Sequence, residues 1–166
     1  MIKIGDRIPD ATLTESTEFG EFCPIAPQKV NVAEAVKGKR IVIFGVPGAY
    51  TPTCSAKHVP GYLEHLDALK AKKVDEVWCI AANDGFVMAA WGQSEKATGK
   101  IRFLGDGNAE LTKKLGLEVD LGVAGLGVRL QRCSLLVDDG VVKHLNVEAP
   151  GKFEVSDAAT MLKQLS

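Results

Sequence analysis

The chain has 166 residues, 46% hydrophobic and 25% charged, enough apolar material for one globular domain with a proper core, expected to span residues 1–166. Twenty basic residues against twenty-one acidic ones, with no dense basic cluster, leave no field to attract nucleic acid or an anionic membrane, so small-molecule chemistry is expected. The start lacks the apolar core of a signal peptide and no apolar run approaches the roughly 20 residues that cross a bilayer, so the expected compartment is the cytoplasm, where Cys23, Cys54, Cys79 and Cys133 would be thiols.

In chain order, residues 16–29, with Cys23-Pro24 and Ala26-Pro27, read as a surface excursion, and residues 40–46 as a buried strand. Residues 52–70 carry Val59, Tyr62, Leu63, Leu66 and Leu69 at helical spacing and predict one helix, kinked at Pro60. The run 77–82 is the next buried strand and completes a βαβ unit with a right-handed crossover. Asn83-Asp84 caps a helix expected to bury Phe86, Val87, Ala90 and Trp91 on one side and to end at Gly99. Residues 101–104 predict a short strand, and 109–115 a short helix ended by Gly116. A glycine-rich loop covers 122–127. The runs 130–137 and 141–147 flank Asp139-Gly140, which suits a type I′ hairpin turn. Ser156 is the expected cap of a last helix whose Ala158, Met161, Leu162 and Leu165 share a face. The order of elements predicts an α/β protein of thioredoxin-like fold, a mixed central β-sheet flanked by helices on both faces, with its site where the first helix meets the carboxyl ends of the strands.

Cys54 stands at that junction, at the end of Pro47-Gly48-Ala49-Tyr50-Thr51-Pro52-Thr53-Cys54. Thr51 suits the helix N-cap and Pro52 the first helical position, which puts Cys54 at the third, among backbone N–H groups without helical acceptors. Such a position favours an anion, and the thiolate is the nucleophilic form of cysteine. A thioredoxin-type dithiol is excluded because there is no Cys-x-x-Cys. A phosphate loop is excluded because no Gly-Lys-Ser/Thr follows, and a structural zinc because Cys54 and His58 have no second closely spaced pair.

The spacing Pro-x-x-x-Thr-x-x-Cys, carried by Pro47, Thr51 and Cys54, resembles the peroxiredoxins. The segment 45–55 and the following His58-Val59-Pro60-Gly61 are similar to the type II, or peroxiredoxin-five, subfamily. Asn83-Asp84, Trp91-Gly92, Arg132 before Cys133-Ser134, and Asn146-Val147-Glu148 extend the likeness over most of the chain outside 16–29. The resemblance implies reduction of hydrogen peroxide and alkyl hydroperoxides by the Cys54 thiolate, with a sulfenic acid as product. Thr51 would accept the Cys54 N–H and aim its own proton at the peroxide or the sulfur, Arg132 would stabilise thiolate and peroxide, and Pro47 would shield the sulfur from bulk water. Arg129 is expected to point away from Arg132 as a solvated charge. His58 is as readily a packing group as a catalytic one, and His65 and His144 are expected at the surface.

No cysteine occupies 151–156, where some subfamily members carry a resolving thiol. Cys79 is placed as in plant-like members with a proposed second cysteine, but its apolar neighbours suit a buried small residue. A one-cysteine cycle closed by glutathione and glutaredoxin is therefore expected, with thioredoxin and Cys79 as the alternative, and Cys23 and Cys133 outside the chemistry. A redox sensor without sustained turnover is the competing class. A homodimer is expected through an apolar patch of Tyr50, Phe86 and Trp91. No cofactor or metal is implied.

Overall fold

The apolar runs at 41–44 and 77–80 are buried throughout, as interior parallel strands flanked on both faces must be, and they form the centre of the sheet. The computed structural model describes residues 1–165; residue 166, the end of the expected domain, lies outside them. In chain order come β1 (Thr12–Glu15), β2 (Glu18–Phe19), β3 (Pro24–Ile25), β4 (Gln28–Asn31), α1 (Val32–Ala35), β5 (Arg40–Gly45) and a π-helical turn at Cys54–His58. Then follow α2 (Val59–Glu64), α3 (Leu66–Ala71), β6 (Glu76–Ala81), α4 (Gly85–Ser94), β7 (Arg102–Gly105), α5 (Glu110–Leu115), β8 (Glu118–Asp120), β9 (Val128–Leu130), β10 (Cys133–Asp138), β11 (Val141–Val147) and α6 (Ala158–Gln164).

Among the described residues the main sheet runs β11-β10-β5-β6-β7-β1-β4. Strands β5, β6 and β7 are parallel, and the remaining pairs antiparallel. Alternation along the strands sends Ile41, Ile43, Trp78 and Ile80 to one face, against Val32 of α1 and Leu111 and Leu115 of α5. Val42, Phe44, Val77 and Cys79 go to the other, against Tyr62, Leu69, Met88, Trp91 and Met161 from α2, α3, α4 and α6. Each such side chain, fully buried, contributes about 1.5–3 kcal/mol of hydrophobic stabilisation. This is the thioredoxin-like α/β fold, with helices on both faces of a mixed sheet.

Several boundaries depart from the sequence reading, for identifiable reasons. The helix expected over 52–70 is three pieces. The Val59 N–H bonds to the Cys54 carbonyl, five residues back, which widens the turn, and Pro60 has no N–H to restore the α pattern. His65 then breaks α2 from α3. Helix α4 is capped by Asp84, which accepts the Val87 N–H, and buries Trp91 as expected, but it also buries Met88, Ala89 and Gly92, leaves Phe86 exposed, and stops at Ser94 because Lys96 turns into the left-handed region. The cap of α6 is Asp157 rather than Ser156, whose N–H and hydroxyl are already engaged by Glu148. The surface excursion at 16–29 contains the β2–β3 hairpin and leads into β4, which with β1 extends the sheet at its far edge. The expected strand at 130–137 begins at Cys133, with Gln131 and Arg132 forming a break after β9. The Asp139-Gly140 turn has positive φ at both residues, as a type I′ hairpin requires.

This topology gathers distant segments at one end of the sheet. Gly45, the last residue of β5, pairs with Cys133, the first of β10, and Cys133 pairs with Val147, the last of β11. The loop carrying Pro47 and Cys54, the break at Arg132 and the exit at Glu148 therefore meet. Asn83, just past β6, joins them by accepting the Ala49 N–H at 2.9 Å.

Candidate active site

Cys54 is fully buried at the start of the π turn, and two donors converge on its sulfur. The Thr51 Oγ1 lies 2.9 Å from Sγ and 2.8 Å from the Gly48 carbonyl oxygen, and Arg132 Nη2 lies 3.1 Å from Sγ. The hydroxyl has one proton, which goes to the carbonyl or to the sulfur, so an ionised sulfur draws it inward. Thr51 does not cap the helix as expected. Its hydroxyl faces Gly48 and Sγ, while its backbone carbonyl accepts the Ser55 N–H at 3.0 Å. Pro47 is half-buried, and its carbonyl is held by Arg129 Nη1 at 3.0 Å. Arg129 is thus a brace for the cysteine loop and not the solvated charge expected. Gly48 makes room for it, since a Cβ there would meet Arg129 Nη1 at 2.6 Å.

Arg132 is itself held from behind. Its Nη1 donates to His58 Nδ1 at 3.0 Å, and because guanidinium cannot accept, that nitrogen carries no proton. The remaining ring proton is on Nε2, which donates to the Ser156 carbonyl at 3.0 Å, an oxygen shared with the Tyr62 hydroxyl at 3.1 Å. Phe44 stacks on Tyr62 at 4.2 Å between centroids, and Phe153 covers both the His58 ring and the Arg132 guanidinium. The loop that carries Phe153 and Ser156 is tied by Glu148, whose carboxylate accepts from the N–H groups of Glu154, Val155 and Ser156 and from the Ser156 hydroxyl. Burial works against that carboxylate, but these donors outweigh it and hold the carboxyl below its ordinary value.

Comparisons with known proteins give the family. The Redoxin family profile matches residues 3–162. Peroxiredoxin-2B of Arabidopsis thaliana is 46% identical over 164 residues, covering 99% of this chain and 98% of its own. This chain belongs to the type II peroxiredoxins. A chloroplastic Peroxiredoxin-2E-2 of Oryza sativa subsp. japonica is 49% identical over 168 residues, covering 99% of this peroxiredoxin and 72% of its own chain. The reduced Prx3 of Vibrio vulnificus, solved in complex with hydrogen peroxide, is 46% identical, covers 100% of both chains and superposes with a TM-score of 0.91. As a member of this family the peroxiredoxin is a thiol-dependent peroxidase.

The other thiols of this peroxiredoxin stand apart. Cys79 and Cys133 lie in the interior of β6 and at the start of β10, fully buried, whereas Cys23 is exposed on the β2–β3 hairpin. Burial pushes the Cys79 thiol well up, with the Cys54 sulfur adding to the effect, and pushes Cys133 up to about 12. Trp91, expected on a surface patch, is in the core and donates its indole N–H to Ser55 Oγ at 3.0 Å.

Sequence reasoning nominated Cys54, Thr51, Pro47 and Arg132, and the fold brings all four together. It left the part of His58 open and missed Arg129 and Glu148. Burial, followed by the Arg132 charge, pulls His58 from its usual 6.5 down to about 3, so the ring is neutral in the working range. Because the folded-state value lies below the unfolded one, the unfolded chain binds more protons between them. Stability is full above pH 6.5 and falls as pH drops toward 3. Denaturant melts between pH 6.5 and 5, above the carboxylate range, should show a loss approaching about 1.4 kcal/mol per unit that is absent from His58→Gln. The same slope in that variant would contradict the assignment.

Proposed function

We propose that this peroxiredoxin reduces hydrogen peroxide and alkyl hydroperoxides through a sulfenic acid at Cys54, and that glutathione with glutaredoxin regenerates the thiol. The convergence of Thr51 Oγ1 and Arg132 Nη2 on one buried sulfur carries this reading. The Cys54 thiolate attacks the terminal peroxide oxygen, the S–O bond forms as the O–O bond breaks, and the departing alkoxide or hydroxide takes up a proton. Arg132 and the Thr51 hydroxyl are placed to donate to the oxygens as charge moves from sulfur to the leaving group, where preorganised donors matter most. Pro47 limits water at the sulfur and with it the climb to sulfinic acid. The hydrogen peroxide complex of the Vibrio vulnificus relative supports the substrate class.

The burial of Cys79 supports a one-cysteine cycle, since a resolving thiol must ionise and reach the sulfenic acid. A coupled assay tests it. Steady turnover with glutathione and glutaredoxin, retained in Cys79→Ala, is the expected result, and turnover with thioredoxin alone, lost in Cys79→Ala, would overturn it. The proposed setting is a thiol-reducing compartment such as the cytoplasm.

The peroxiredoxin is also proposed to work as a homodimer. Tyr50 is 56% exposed, and Phe86, 47% exposed, is carried on the adjoining segment that the Asn83–Ala49 bond ties to the cysteine loop. Sedimentation at micromolar concentration should give a dimer that Tyr50→Asp/Phe86→Asp converts to monomer, and a monomeric wild type would refute it.

A further inference from the structure

Where the β10–β11 hairpin ends, Cys133 pairs with Val147, and the ladder runs one step further, with the Glu148 N–H bonded to the Arg132 carbonyl at 3.0 Å. The chain then turns back at once. Gly151 takes a φ of 75°, a left-handed conformation that suits glycine, and the Lys152 N–H closes on the Ala149 carbonyl at 2.9 Å, which returns residues 154–156 over Glu148. There the carboxylate, on a residue only 6% exposed, accepts three successive backbone N–H groups and the Ser156 hydroxyl, all within 3.0 Å. No lysine or arginine pairs with it among the described residues.

We propose that Glu148 is a positioning residue for peroxide reduction, its carboxylate setting the Ser156 carbonyl and through it the Arg132 fork on Sγ, an inference that rests on the Cys54 chemistry above. The connection is continuous. The carboxylate holds both the N–H and the hydroxyl of Ser156, whose carbonyl accepts the His58 Nε2 proton at 3.0 Å, and His58 Nδ1 accepts from Arg132 Nη1 at 3.0 Å. The other nitrogen of the same fork, Nη2, is the one that lies 3.1 Å from Sγ. A guanidinium is planar and rigid, so fixing Nη1 fixes where Nη2 points.

Arg132 is thus gripped twice from one residue, at its backbone by the Glu148 N–H and at its guanidinium by way of the carboxylate. Phe153, on the same loop, has its ring centroid 5.0 Å from that of His58 and 5.9 Å from the guanidinium carbon, and covers both. The His58 ring, with its one proton on Nε2, transmits position along this chain and no net charge. A charge is needed at the far end all the same, because hydrogen bonds to a carboxylate are roughly twice as strong as those to a neutral acceptor. A glutamine would keep the shape of Glu148. Its amide NH2, however, must face either the Glu154 N–H or the N–H groups of Val155 and Ser156, so the loop loses an acceptor and two sets of donors are set against each other.

Quenched-flow mass spectrometry of the reduced full chain mixed with hydrogen peroxide tests this by timing sulfenic acid formation on Cys54, with no reductant present. Glu148→Gln should slow it by about tenfold, as a small misplacement of a group that meets the reacting atoms does. In the Arg132→Met background the same replacement should change the rate by less than about twofold, because a residue that acts through the guanidinium has nothing left to position. Ser156→Ala removes one bond to the carboxylate and leaves its charge and its three backbone donors. It should slow oxidation by about threefold alone and again by almost nothing without Arg132, and it decides the matter should Glu148→Gln fail to fold. Equal losses with and without the guanidinium would make Glu148 a structural tie and overturn the proposal, as would a wild-type rate in either single variant. Failure of the underlying Cys54 reading is separate, because Arg132→Met would then be oxidised as fast as the wild type.

Discussion

Cys54→Ser should lower peroxide turnover by at least about 10³-fold, the largest effect of any single replacement in the chain. A serine hydroxyl is a far weaker nucleophile than a cysteine sulfur, and oxygen cannot form the sulfenic acid on which the cycle depends. Folding should survive, because the smaller side chain keeps a polar atom within reach of Thr51 Oγ1 and Arg132 Nη2. Cys23→Ser, on the exposed hairpin, should turn over like the wild type. The check is kcat/KM for hydrogen peroxide in all three proteins, and turnover in Cys54→Ser within tenfold of the wild type would place the chemistry on another sulfur.

Arg132→Met should cost about 10²–10³ in kcat/KM, the loss that follows removal of one donor aimed at developing charge. Methionine fills much of the same space but donates nothing to Sγ, and it leaves the buried His58 Nδ1 without a partner, worth a further 1–3 kcal/mol or so of stability. Arg132→Lys should recover only part of the rate. A lysine keeps the charge, yet it lacks the planar fork with which arginine meets Sγ at 3.1 Å and Nδ1 at 3.0 Å together. Lysine restoring the full rate would show that charge alone matters and that the bridge to His58 does not. Steady-state kinetics alongside denaturant melts separate the catalytic loss from the structural one.

The parts of this site that could be read from sequence are the local ones. Pro47, Thr51 and Cys54 lie within one loop, and their spacing reports a strand handing over to a helix whatever the rest of the chain does. Arg132 was reached through the family resemblance, and its approach to Cys54 follows from the antiparallel pairing of β10 with β5. His58 and Arg129 were not legible in their roles, because each is defined by partners far along the chain, and Glu148, whose carboxylate has its partners only six to eight positions on, because a loop closing on one carboxylate leaves no spacing to read. His58 meets Arg132 across 74 positions and Ser156 across 98, and Arg129 meets Pro47 across 82. The π turn at Cys54–His58 escaped notice for a different reason. Apolar spacing continues through it, and only the bond from the Val59 N–H to the Cys54 carbonyl distinguishes it from a kinked α-helix. Strands β1 and β4 show one apolar residue in four, too few for alternation to register, and are set instead by pairing at the sheet edge.

The most direct measurement is to treat the reduced protein with one equivalent of hydrogen peroxide, trap sulfenic acid with dimedone, and map the adduct by mass spectrometry. One adduct per chain on Cys54, none on Cys23, Cys79 or Cys133, and a sharp fall in trapping rate in Arg132→Met are the predicted results. An adduct on another cysteine, or labelling of Cys54 at an undiminished rate without Arg132, would contradict the view that these paired donors make this sulfur the reactive one.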